Sequence, residues 1–251
     1  MKHFSIGLCS VSFRKHSPTE ILEEMKRTEL SRIEWGSDVH APAENLDTLQ
    51  KIVDLQREYG VFCHSYGTYF RIGIHPVEEI YPYIRAAQVL GTTTLRLWAG
   101  DKNSEDFTPA EKEHFFKDCR ALANIAEKEG VTLCMECHNK TYTNRFCAAL
   151  ELMQAVDSPN FRMYWQPNQF RSEEENNLAA KALSPFTENI HLFHWQGKEK
   201  YPLLDGKEIW KTYLNHFSGT KTLLLEFMPD GKIESLKREA DSARKILEEA
   251  K

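Results

Sequence analysis

The stretch PAEKEHFFKDCRALANIAEKEGVTLCMECHNKTYTN, from Pro109 to Asn144, decides how the rest of the chain is read. Its first part spaces apolar residues three and four apart and stops on Gly130, a residue that tolerates the left-handed backbone of a helix C-cap. Val131 to Cys137 is then a short apolar run, the pattern of a buried strand, which breaks into His138, Asn139 and Lys140. Two cysteines and a glutamate lie at the break. Cys134 and Cys137 are three apart, so on a strand they point to opposite faces. They cannot share a metal there, and no second cysteine pair completes a zinc site. The residue that carries chemistry at this strand end is Glu136.

The same unit recurs in both directions at a spacing of roughly thirty residues. The strand candidates are FSIGLCS, RIEWG, VFCHSY, TTLRLWAG, VTLCMEC, FRMYWQ, NIHLFHW and KTLLLEFM, each apolar and each stopping at polar residues or glycine. Between them lie helices. Ser17, Pro18 and Glu20 form a capping signature, NLDTLQKIVDLQREYG ends on Gly60, PVEEIYPYIRAAQVLG ends on Gly91, and IESLKREADSARKILEEAK closes the chain. Strict alternation argues for a parallel sheet. Eight units in this length match a single-domain (β/α)8 TIM barrel over residues 1–251 better than an open, doubly wound sheet. The open sheet also lacks its phosphate loop, because IGLCSVSF after the start is not GxGxxG.

Composition narrows the function classes. The net charge of −5 is mild and the basic residues are scattered, so neither nucleic acid nor an acidic membrane is an expected partner. MKHFSIGLCSVSF has no apolar segment long enough for a signal peptide or a span. Six dispersed cysteines suit free thiols in a reducing compartment, and a cytoplasmic location is expected.

In such a barrel the active site is built at the C-terminal ends of the strands. Glu34, Trp35, Asp38 and His40 follow strand two; His64, Ser65, Tyr66, Tyr69 and Arg71 belong to strand three. Arg96 and Trp98 lie on strand four, Glu136 and His138 on strand five, and Trp165, Gln166 and Asn168 on strand six. Strand seven carries His191 and His194, and strand eight ends in Glu226. Two carboxylates closing apolar strands are costly to bury without a cation or ligand, so Glu136 and Glu226 lead the list. Tyr66, Trp98, Trp35 and Trp165 either wall a site or simply pack. Arg96 either binds a carboxylate or phosphate or pairs with Glu34. His138 contacts substrate or orients a neighbour, and His64 binds ligand or is a satisfied core histidine. His191, three residues from His194, is expected to face the helical shell.

The segments IEWGSDVHAP, LRLWAG, MECHNKTYT, HLFHWQG and LLLEF, in this order, resemble the sugar isomerase/epimerase barrels of the xylose isomerase-like superfamily. That group includes ketose 3-epimerases, hydroxypyruvate isomerase-like proteins, inosose and dehydroshikimate dehydratases and, more distantly, endonuclease IV. The resemblance implies a divalent metal ion (Mn2+, Mg2+, Co2+ or Zn2+) held by Glu136, His194 and Glu226, with Gln166 where the family tends to have Asp. A neutral amide oxygen is a weaker donor to a hard cation than a carboxylate. The resemblance also makes Glu136 and Glu226 the proton-transferring pair and Lys198 or Lys200 a substrate contact, beside His64, Tyr66, Arg96, Trp98, His138 and Asn168. The expected function is a metal-dependent isomerase or epimerase of a sugar or sugar-derived keto or hydroxy compound, acting through an enediolate. The alternatives are a dehydratase on the same barrel and a sugar-binding barrel without catalysis. The expected partner is a small carbohydrate, and surface helices of such barrels often pair into homo-oligomers. An endonuclease would need further His and Asp ligands and a basic track.

Overall fold

Serine and threonine caps start three of the helices, and glycine ends three. Ser17, Thr108 and Ser172 each accept a hydrogen bond from the backbone N–H three residues on, where Glu20, Glu111 and Glu175 return the bond as capping boxes. Gly60, Gly91 and Gly130 close three helices in the left-handed conformation. A computed structural model of the protein describes residues 2–249. Its helices are α1 (Pro18–Arg27), α2 (Leu46–Tyr59), α3 (Ile80–Leu90), α4 (Pro109–Glu129), α5 (Phe146–Val156), α6 (Glu173–Leu183), α7 (Lys207–Leu214) and α8 (Leu236–Glu249).

The barrel strands are β1 (Lys2–Cys9), β2 (Arg32–Gly36), β3 (Phe62–Arg71), β4 (Thr94–Trp98), β5 (Thr132–Glu136), β6 (Phe161–Trp165), β7 (Thr187–Leu192) and β8 (Gly219–Leu225). They close into one parallel barrel in chain order, with β1 paired to both β2 and β8. The fold is thus a single (β/α)8 barrel. No helix among the described residues is long and apolar enough to cross a membrane.

Alternation along each strand sorts the side chains. Ile33, Leu95, Leu133, Met163, Ile190 and Leu223 pack outward with the helices in one large apolar cluster. Their immediate neighbours Cys134, Tyr164 and Leu224 join Cys9 and Val11 in a small separate cluster that fills the barrel interior. Polar side chains take over above this plug.

Several strand ends differ from the sequence reading, and two of these differences shape the site. β3 runs on to Arg71, and β7 stops at Leu192, before the expected end at Trp195. There the chain leaves the barrel and makes a small antiparallel hairpin, Trp195–Gln196 with Glu199–Lys200, turning at Gly197 with φ 58°.

Candidate active site

The polar layer begins with Glu34 on β2 and Arg96 on β4, both at most 2% exposed. Arg96 Nε donates to Glu34 Oε1 at 3.1 Å and its Nη1 donates to Glu136 Oε2 at 2.6 Å. Ser65 Oγ donates to the other Glu34 oxygen at 2.9 Å. Gly67 leaves the room for this pair, since a Cβ there would lie 2.8 Å from both Arg96 Nη2 and Glu34 Oε1. Two of the three guanidinium nitrogens are bonded to carboxylates, so of the two readings of Arg96 the pairing with Glu34 is the one the geometry takes, with Glu136 as a second partner.

His191 is buried at the centre of this layer. Its Nδ1 lies 3.5 Å from Glu136 Oε1 and 3.4 Å from Glu226 Oε2, and it donates to Gln166 Oε1 at 2.7 Å. Gln166 is oriented by its own N–H bond to the Cys137 carbonyl at 2.8 Å. On the other edge of the ring, His191 Nε2 has no hydrogen-bond partner among the described residues and faces Glu34 Oε1 at 3.9 Å. The expectation that His191 faces the helical shell is therefore corrected. The signal was in the sequence: Asn189 and His191 are two apart, and both point inward, while Ile190 and Leu192 pack outward.

His194 needs the complementary correction. It lies beyond the end of β7, half-buried against Tyr201 and Gly206, and its ring is not part of the carboxylate group. The early end of β7 is the physical reason: the chain has left the barrel before it reaches His194, the residue to which the resemblance gave the metal.

Charge shapes the titration of the cluster. Burial alone would raise the Glu136 carboxyl, but Arg96 and His191 beside it hold it well below the usual range. Burial pushes Glu226 up, with His191 opposing and Glu136 adding to the rise. Burial would lower His191, yet Glu226, Glu136 and Glu34 raise it to about 9. Burial and Glu34 push the Cys9 thiol well up, so it remains S–H rather than the thiolate a metal takes.

These groups fit a divalent cation. Ligand atoms of Glu136, His191 and Glu226 lie within 4.8 Å of one another. Three carboxylates face one guanidinium, so with neutral His191 the layer is two charges short, which one dication supplies. Gln166 adds a neutral amide oxygen on the same side of His191.

A cavity of about 360 Å³ opens above the cluster at the strand C-termini. Glu136, Glu226, Arg96 and Gln166 form its floor, and Tyr69, Trp98, Phe170, Phe193, Trp195 and Phe227 its walls. His138 and Asn168 line it too, His138 edge-on to Trp98 at 4.7 Å and Asn168 donating to Asn139 at 2.8 Å. Phe227 and Lys140, also in the lining, are held at φ 54° and 59°, a strained backbone for side-chain-bearing residues. Lys200 rests over the faces of Trp195 and Phe227 at 4.8 and 5.1 Å.

The remaining expected contacts lie elsewhere. Tyr66 is buried on the outer face of the barrel, donating to the Ala41 carbonyl at 2.6 Å, and Trp35 donates to Gln56 there at 2.8 Å. Trp165 packs against Trp210, Tyr213 and Phe217. His64 bonds Asn189 at 2.9 Å below the cluster and does not line the mouth. Lys198 is exposed at the hairpin turn and outside the mouth lining. Phe193, Trp195, Phe227 and Asn139 were missed because they follow the strands in loops whose course no periodicity reveals.

Comparison with known proteins supplies the rest. Residues 22–249 match the xylose isomerase-like TIM barrel family. A 3-dehydroshikimate dehydratase of Bacillus anthracis is 24% identical over 170 residues, which cover 62% of this chain and 59% of the relative, less than two thirds of its length. The structure of the probable 3-DHS dehydratase AsbF, involved in petrobactin synthesis in Bacillus anthracis, superposes with a TM-score of 0.78 at 20% identity, over 97% of this chain and 99% of that one. An IolI protein with a bound zinc atom gives 0.71 at 16% identity over 98% and 97%.

Proposed function

Because the chain belongs to the xylose isomerase-like TIM barrel family, we propose that it is an enzyme that removes a proton next to a carbonyl of a small polyhydroxylated ring and expels a β-hydroxyl, a dehydratase. The observation that carries this over epimerisation is the inequality of the two glutamates. Glu136 is clamped by Arg96 at 2.6 Å, whereas among the described residues the Glu226 carboxylate is paired with His191 alone, at 3.4 Å. Epimerisation needs a proton carrier on each face of the substrate. Elimination needs one.

Glu226 takes the α-proton. As the new double bond forms in conjugation with the carbonyl, the C–O bond to the β-hydroxyl breaks and the same carboxyl returns the proton to it, so water leaves. Arg96 holds Glu136 in place and balances its charge. The aromatic walls exclude water and offer flat apolar faces to a ring's C–H groups. A divalent cation held by Glu136, His191, Glu226 and the Gln166 amide oxygen would supply Lewis-acid stabilisation of negative charge on the substrate's carbonyl oxygen. The zinc in one structural neighbour and the dehydratase relative support this reading.

The test is an ultraviolet assay with 3-dehydroshikimate and other cyclic β-hydroxy ketones, in the presence of Mg2+ or Mn2+. A conjugated product is expected to appear, and Glu226→Gln is expected to reduce its rate by about 10²–10⁴. An unchanged rate in Glu226→Gln, or interconversion of ketoses without any new chromophore, would reject the proposal.

A further inference from the structure

A second cavity, of about 200 Å³, opens between the first turn of α5 and one side of α6 from Glu175 to Leu183. Cys137, Gln166 and Asn168 line both this cavity and the mouth, and the Gln166–Cys137 hydrogen bond closes the wall between them. Two guanidiniums stand at its edge with only distant acids: Arg145 is 4.0 Å from Glu105 and Arg171 is 3.9 Å from Glu175. Pairs so long and so exposed hold their partners weakly. The first turn of α5, part of the lining, has no side-chain cap, which leaves its amides without acceptors. Deeper in, Phe146, Leu183 and Trp165 make an apolar wall. Trp165 is fully buried and its indole N–H has no acceptor among the described residues.

We propose that this cavity is a second small-molecule site, for a ring bearing one carboxylate. Size sets the ring, since a dry cavity of about 150 Å³ holds benzene and this one has space for a carboxylate besides. Charge sets the anion: two arginines and the positive end of α5 face one acid, Glu175, which already serves as the α6 capping-box partner. Inorganic phosphate would leave the apolar wall bare, and a neutral ring would leave the arginines unused. The site is distinct from the mouth, so it stands or falls independently of the dehydratase reading.

Benzoate is the probe, with inorganic phosphate and benzyl alcohol as controls, titrated into the full chain by calorimetry. Cys147, exposed and in the cavity lining, gives a second readout through its alkylation by iodoacetamide. Benzoate is expected to bind, to slow that alkylation, and to bind at least about tenfold more tightly than either control. Arg171→Ala, a change at the rim, is expected to weaken it by at least about tenfold, Ala179→Phe to abolish it by filling the cavity, and Glu226→Gln to leave it unchanged. No benzoate binding, no protection of Cys147, or phosphate or benzyl alcohol bound as tightly as benzoate would overturn the proposal. So would benzoate binding that survives Arg171→Ala or is lost in Glu226→Gln, which would move the ligand to the mouth.

Discussion

Arg96 is where the chemistry and stability of the site meet. Its guanidinium is the shared counterion of Glu34 and Glu136, and a methionine of similar length would leave two buried carboxylates unpaired. Arg96→Met is expected to destabilise the fold by about 3–5 kcal/mol, read from urea denaturation, because breaking a buried pair strands its partners. A loss no larger than that of an exposed charge would show that water reaches the pair. In the proposed cation site, His191 would set the pH response of binding. In the free protein it is raised to about 9, so below that pH a cation must displace its proton. Metal affinity is therefore expected to climb by up to about tenfold per pH unit between about pH 6 and 8, in calorimetric titrations with Mn2+. An affinity independent of pH over that range would mean that His191 is not a ligand.

At the scale of the element, strand ends were harder to read than strand cores. RIEWG coincides with β2, and Ser17, Gly60, Gly91 and Gly130 mark helix ends because caps obey local backbone rules. β7 failed for a non-local reason. NIHLFHW reads as one apolar run, but Phe193 and Trp195 are apolar because they wall the mouth and support Lys200, not because they continue the strand. One variant pair separates the two histidines. His191→Ala is expected to abolish the rise in melting temperature caused by Mn2+ or Zn2+, and His194→Ala to retain it; the opposite result would restore His194 to the ligand set. Gly67 presents the same lesson on β3. Its position looks ordinary in sequence, yet Gly67→Ala would drive a methyl into the Arg96–Glu34 pair, and lowered stability together with weakened metal binding is the expected result.

At the scale of the molecule, the barrel was legible because eight repeats of one unit leave few ways to pack. The carboxylates Glu136 and Glu226 were legible for a related reason, since a charge that ends an apolar strand must face the mouth. Trp98 as a wall and the Arg96–Glu34 pair were among the alternatives the sequence offered, whereas the walls from the loops and the Arg96 bond to Glu136 were not, because they depend on which segments meet across the barrel. A cation bound at the centre of the closed ring should stabilise the whole barrel by mass action, about 2.7 kcal/mol at a hundredfold excess over its dissociation constant. On the proposed function, the clamp on Glu136, against the freedom of Glu226, would turn that barrel toward elimination. The most direct test is a proton NMR time course of the Mg2+-loaded protein with 3-dehydroshikimate in deuterated water. A single unsaturated product, formed with the loss of water and with no epimer of the substrate at any time, is the predicted result. Accumulation of an α-epimer would contradict the account, because it would require a second proton carrier on the opposite face.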